Sequence, residues 1–349
     1  VSIRTALSTT LILLGMQSGA AVHGQSTAPS TTPETSDPTI VQSVDPPQFS
    51  FYSKVVNCHG LYVRASNAVI DAALLSACSD IETMLGKMVV TQHNLAQRGV
   101  QLHLIGAQQS INALPEFSSR RDESLNSPRS VAGIYSACGE ENLLPLQTPN
   151  DPPINQCKRD LAIAIIQYGF DSKIRSQIAA QFSTAITSGL WRSSPAGRNP
   201  QEYWAELSLW YFGGHGTFVR PADHYPAPGR ESLRHYDSGG YALLELLYGG
   251  KEQPEAIEAI RARDVSTLAL SATSHIPAQL QLVNNSGQTL RIFWIDTDGH
   301  TIPMGELSPY NRTIKDTFRK HVWMVEDQRG VELERFVVDD AVSEVIAAD

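Results

Sequence analysis

The sequence predicts an α+β protein: a mainly helical domain followed by a small antiparallel β-sandwich. Two patterns carry that reading. Apolar residues first recur at helical spacing, as in Val69, Ala72, Ala73, Ala77, Ile81 and Leu85. Beyond a Ser/Thr/Ala-rich stretch from Thr267 to His275 they alternate instead, in short runs divided by turn residues. A chain of 349 residues is long enough to bury two such cores.

At the N-terminus a single basic residue, Arg4, precedes an apolar run centred on Leu11-Ile12-Leu13-Leu14, and small residues lead to Val22-His23-Gly24. This layout predicts a signal peptide over residues 1–24, too short to span a membrane. Residues 25–48 are rich in Ser, Thr and Pro and predict a disordered tether. No later segment reaches the length of a membrane span, so the expected location is extracellular or periplasmic. Four cysteines, Cys58, Cys78, Cys138 and Cys157, fit that route and form no Cys-x-x-Cys pair. They predict two disulfides with three connectivities open; Cys58–Cys78 with Cys138–Cys157 is favoured because each closes a short loop. A net charge of -9 argues against nucleic acid or an anionic membrane as partner.

The helical domain is expected over residues 49–266. Phe51 to Val55 reads as a strand, and Cys58 to Val63 as a loop or a second strand. Ser66 suits a helix cap, with a helix to about Gly86. Val100 to Ile105 alternates as a strand with His103 on its polar face, and residues 115–135 read as an irregular excursion. Cys157 to Ile166 has the filling of a buried helix with Arg159 at its rim. An amphipathic helix spans Asp171 to Ser188, and Asn199 caps another with Pro200 at its first position. His215, His224 and His235 fall in a loop-rich stretch whose spacing matches no metal motif. Helices over Tyr241–Tyr248 and Pro254–Arg263 are expected to close the domain.

A linker over residues 267–277 leads to the sandwich at 278–339. Its strands are expected near Gln279–Val283, Thr289–Asp296, Thr313–Phe318, His321–Glu326 and Val331–Val338, with Asp298-Gly299 as a hairpin turn. A tail, residues 340–349, reads as a short helix. Asn284-Asn285-Ser286 and Asn311-Arg312-Thr313 are N-glycosylation sequons.

Cys138-Gly-Glu-Glu-Asn-Leu-Leu144 and Asn199-Pro-Gln-Glu-Tyr-Trp-Ala-Glu206 flank the buried helix. This arrangement, from about residue 51 to 250, resembles a family of secreted zincin-like metallohydrolases whose intervening helix carries His-Glu-x-x-His. That motif works because residues i and i+4 aim two imidazoles at one zinc while the Glu acts as base on the bound water. Laid on the family pattern, the histidines fall at Arg159 and Ile163 and the glutamate at Asp160. The resemblance places the third ligand at Glu202, with Glu206 one turn on. Arg159 has no lone pair to give and Ile163 has no donor atom. No metal, no cofactor and no catalytic residue of the family type is therefore expected. Instead Arg159 is expected to pair with Glu202 or, failing that, Glu206, since a buried carboxylate stripped of its cation costs about 3–5 kcal/mol. Glu140 and Glu141 are expected to bind backbone amides rather than to act as acid or base.

The sandwich carries Val283-Asn-Asn-Ser-Gly-Gln-Thr-Leu-Arg-Ile-Phe-Trp-Ile-Asp296, Gly305-Glu-Leu-Ser-Pro309 and Thr317-Phe-Arg-Lys-His-Val-Trp323. Over about residues 278–338 it resembles the β domain of the von Hippel–Lindau tumour suppressor. The resemblance implies that Thr317, His321 and Trp323 match residues that line a hydroxyproline-peptide pocket there, with Met304 in place of that pocket's Tyr. The elongin-recruiting helical domain has no counterpart, so a ubiquitin-ligase role is not implied. Together these features predict an exported, non-catalytic binding protein, a pseudoenzyme with a metal-free groove, whose ligand is a protein or peptide. The alternative is a secreted metallopeptidase-like hydrolase with a non-standard site, built from Asp160 with Glu202 and Glu206 or from the histidine loop. The sequence does not define an oligomeric state.

Overall fold

The computed structural model describes residues 40–118, 129–144, 154–218 and 226–347. The expected signal peptide, most of the tether and His224 lie outside them. Among the described residues no helix is long and apolar enough to cross a membrane.

The first part begins earlier than the composition suggests. Strand β1 (Gln42–Gln48) lies within the residues read as tether and pairs antiparallel with β2 (Tyr52–Cys58), while Val41 packs on the core. Pairing supplies the backbone partners that a Pro-containing segment cannot make alone. β3 (Leu61–Ala65) completes this meander. Helix α1 (Asp71–Leu85) starts five residues after Ser66 and has no side-chain cap; the Ser66 hydroxyl accepts instead from Ala68 N–H in the preceding turn. α2 (Val89–Gln97) leads into β4 (Gln101–Ile105), and α3 (Pro115–Ser118), β5 (Ser130–Val131) and β6 (Tyr135–Gly139) follow. The six strands form one sheet in the order β1-β2-β3-β4-β6-β5, parallel at β3-β4-β6. Its presence makes this part less purely helical than its apolar periodicity predicts.

Helix α4 (Gln156–Ala164) is capped by the Asn155 side chain and runs into a π-helical turn, Ile165–Gly169. α5 (Ser172–Thr187) is capped by Asp171 and α6 (Pro200–Tyr211) by Asn199. α7 (Arg230–Tyr236) and α8 (Ser238–Tyr248) close the helical layer. Trp191, Trp204, Trp210 and Tyr203 are fully buried in this core. Both favoured disulfides are present: Cys58–Cys78 ties β2 to α1, and Cys138–Cys157 ties β6 to the first turn of α4. Closing loops of 20 and 19 residues contributes roughly 3 kcal/mol apiece through the unfolded chain.

The helix expected over Pro254–Arg263 does not form. The chain there runs extended along α2, whose side chains take up its backbone groups. Asn94 donates to Glu255 O and accepts from Ile257 N–H, and Gln97 accepts from Ala259 N–H. Tertiary hydrogen bonding thus replaces the helical ladder. The segment continues as β7 (Ile260–Arg261) and β8 (Arg263–Asp264), which join the sandwich.

The remaining strands are β9 (Pro277–Asn284), β10 (Leu290–Ile295), β11 (Thr301–Leu307), β12 (Arg312–Phe318), β13 (Val322–Glu326), β14 (Glu332–Val337) and β15 (Val342–Ala347). They make two sheets, β11-β10-β13-β14-β8 and β12-β9-β15-β7. The tail expected to be helical is β15. It lies between β9 and β7 and runs parallel to both, so the sandwich is not wholly antiparallel. Burial of Val342 and Val345 overrides the helical preference of its Ala and Glu residues. The expected linker also packs: the buried Ser271 hydroxyl donates to Ile295 O and accepts from Val322 N–H. Asn284, the first sequon, is fully buried and its amide donates to the carbonyls of Gln288, Leu307 and Ser308.

Candidate functional site

Helices α4 and α6 pack side by side and bring four of the five expected positions together. Arg159 projects from α4 between two carboxylates one turn apart on α6. Its Nε donates to Glu206 Oε1 at 2.9 Å, one terminal nitrogen donates to Glu202 Oε2, and the other reaches Asp160 Oδ1 at 3.2 Å. The pairing expected with Glu202 is present, and Glu206 is engaged as well. Arg159 is therefore the hub of an ion network rather than a rim residue. Ile163 is buried in the hydrophobic core.

The electrostatics follow from one cation among three carboxylates. Burial works against the Arg159 charge, but hydrogen bonds and charges from Glu206 and Glu202 outweigh it and raise its pKa. Glu206 is buried, and burial pushes its carboxyl above the ordinary range despite the Thr217 N–H at 2.9 Å and the guanidinium. Asp160, only 1 % exposed, is pushed up to about 6, again by burial first, with Ser130 and Arg159 pulling the other way. No described residue gives its Oδ2 a hydrogen bond within 3.5 Å. Chemically the cluster holds a fixed guanidinium beside carboxyls that burial makes more basic than usual. The described residues close enough to hold a metal are Asp296, Asp298 and His300 in the β10–β11 turn. The hydrogen bonds of that group are those of the turn itself.

The other candidates in the first part are structural. Glu140 accepts from Ile70 N–H and Ala107 N–H, while Glu141 forms a bidentate pair with Arg129 at 2.6 and 2.8 Å. His103 does not sit on a polar face. β4 lies between β3 and β6, and the imidazole is buried against Tyr52 Oη at 2.8 Å and Glu116 Oε1 at 2.5 Å. Alternation along a strand signals two faces but not which is wet, and parallel strands are covered on both. His215 bonds Gly216 O, while His235 lies in the last turn of α7 rather than in a loop and pairs with Glu231 at 3.0 Å.

In the sandwich, Thr317 on β12 and Trp323 on β13 meet across the two sheets, and His321 joins them from the turn between. Trp323 Nε1 donates to Thr317 Oγ1 at 3.1 Å, and Thr317 Oγ1 lies 3.2 Å from His321 Nδ1. Burial pushes the His321 imidazole below its ordinary pKa, so it is neutral at pH 7 with one donor and one acceptor nitrogen. Trp294, which the sequence reading left as a strand residue, stacks on it with centroids 5.2 Å apart and planes at 27°. The signal for Trp294 is its register: it lies directly opposite Trp323 in the β10–β13 pair, and cross-strand partners share a face. Met304 packs partly buried against the same core, and its carbonyl accepts from Lys315 Nζ at 3.0 Å. Among the described residues β12 pairs with β9 alone and is the edge of its sheet.

The family described as VHL beta domain matches residues 269–336, from the packed segment around Ser271 to the end of β14. No curated protein matches the chain. The match lies in the C-terminal part; the zincin-like likeness of the first part rests on its motifs alone.

Proposed function

We propose that this protein is an exported, non-catalytic binding protein, in which a zincin-like part has exchanged its metal for an arginine and the β-sandwich takes an extended peptide. The observation that carries the reading is Arg159 bridging Glu202 and Glu206, which leaves those carboxylates without the vacancy a zinc ion requires. A fixed guanidinium neither accepts substrate oxygen as a Lewis acid nor lowers the pKa of a bound water. The two disulfides are compatible with an extracellular location. The match to the VHL beta domain is compatible with a binding role. Supporting a peptide as ligand, β12 is an edge strand to which an extended segment adds by main-chain hydrogen bonds, beside the neutral His321 and the Thr317 hydroxyl.

One observation favours the hydrolase alternative: Asp160 is a buried carboxyl with a pKa of about 6, a value suited to a general acid or base. Its Oδ1 faces Arg159, however, and the residue is buried, so the carboxyl is shut off from solvent and from a substrate in a cleft. Metal content after dialysis of the intact protein against zinc distinguishes the two. The expected result is well below one equivalent, with no chelator-sensitive hydrolysis of casein. About one equivalent of bound zinc with chelator-sensitive cleavage overturns the proposal.

A further inference from the structure

A cleft of about 340 Å³ opens where α2 and the extended segment that runs along it meet the β12–β13 turn and the start of β15. Two arginines line it, Arg98 and Arg319. Arg98 is 9 % exposed and is held by two neutral acceptors, Tyr168 O and Gln279 Oε1 at 2.8 Å. Arg319 has a buried Nε with no hydrogen-bond partner among the described residues. Neither guanidinium has a carboxylate within 4.0 Å among the described residues. In a chain with 36 acidic and 27 basic residues, two unpaired arginines facing one cavity call for an external anion. Burial, with the charge of nearby Arg175, pushes Arg98 down to about 10, a penalty that a bound anion relieves.

The acidic residues of the cleft have a different placement. Both Asp171 oxygens are occupied by backbone N–H groups, of Ile174 and Glu255, and Glu258 pairs with His93 at 3.1 Å. Glu255 is exposed, Asp340 and Arg319 are half-buried and Arg98 is buried, so the lining grades from a carboxylate on the solvent side to a guanidinium inside. We infer that this cleft binds a small zwitterion, a free amino acid or short peptide, with its carboxylate on Arg98 and Arg319 and its ammonium toward Asp340 and Glu255. Guanidinium forks suit a carboxylate, and the volume admits two or three residues at most. The site is separate from the Thr317–His321 cluster and does not depend on the proposed function.

Calorimetric titration of the intact protein with alanyl-alanine tests the inference, alongside its C-terminal amide and its N-acetyl form. The dipeptide is expected to bind saturably, the amide at least about tenfold more weakly, and the acetylated form also more weakly. Arg319→Gln is expected to reproduce the loss seen with the amide while leaving the near-UV spectrum unchanged. Absence of saturable binding, or equal binding of dipeptide and amide, overturns the site. The amide comparison needs no variant, so it decides the question even if Arg319→Gln fails to fold.

Discussion

Asp160 and Glu116 are both buried carboxylates, yet they place opposite pH dependences in the same fold. Asp160 has its pKa raised to about 6 from an ordinary 3.8 by burial, so the native state holds its proton more tightly than the unfolded chain does. Stability from this group is full below the unfolded value, falls as pH rises between the two, and levels off above about 6. Burial of Glu116 is outweighed by His103 and Tyr52, which hold its carboxyl below the ordinary range. Its contribution is present above the unfolded pKa and lost as pH falls through the folded one. Asp160→Asn is therefore expected to stabilise the protein at pH 7 by up to roughly 3 kcal/mol and to flatten the slope between about pH 4 and 6. Urea midpoints measured across that range check it; an unchanged slope in the variant would show that Asp160 does not titrate as described. The Arg159 partners were legible because the family resemblance marks positions 159 and 202, and helical spacing then puts Glu206 on the same face as Glu202. Asp160 was legible as a position but not as a raised pKa, which depends on what covers the helix. His103 was misread for the same reason, since burial is decided by neighbours distant in sequence.

Elements follow the same division between local and distant causes. Helix α6 was readable from its Asn199 cap, α5 from its amphipathic spacing and α4 from its apolar filling, all signals held within their own segments; Asp171 and Asn155 cap the latter two in the structure. Strands β10, β12, β13 and β14 announced themselves by alternation. β1, β7, β8 and β15 did not, because each exists only by pairing with a strand already formed. β15 carries the clearest consequence. It occupies an interior position of its sheet, bonded to β9 on one side and β7 on the other, and buries Val342 and Val345. Ending the chain after Asp340 uncovers the β9 edge and removes two side chains whose burial is worth about 1.5–3 kcal/mol each. The shortened protein is expected to lose the near-UV signal of Trp294 and Trp323 while keeping helical far-UV signal from α1, α5 and α6. Retention of the tryptophan signal would show that the sandwich closes without its last strand.

At the scale of the molecule, the sandwich and the sheet-and-helix part are joined by a polar seam centred on Arg312. Its guanidinium donates to Arg98 O, Gln281 Oε1 and Glu344 Oε1, so one side chain spans α2's end, β9 and β15. Asn311 donates to Glu116 O, and Gln281 donates to Gln97 O, on either side of it. Gly99 makes room: with φ +65° it turns the chain after α2, and a Cβ there would lie 2.4 Å from Arg312 Cζ. Apolar periodicity carries no trace of this seam, since its members are polar and scattered over more than 200 residues of sequence. Such coupling predicts that the intact protein unfolds in one calorimetric transition even though its two parts have separate cores. Arg312→Met keeps the stem but removes the three donated bonds and leaves Glu344 without its cation. That variant is expected to melt in two steps, with the sandwich transition moved down by several degrees. Two resolved transitions in the unaltered protein, or a single unshifted one in Arg312→Met, would show that the seam does not couple the parts.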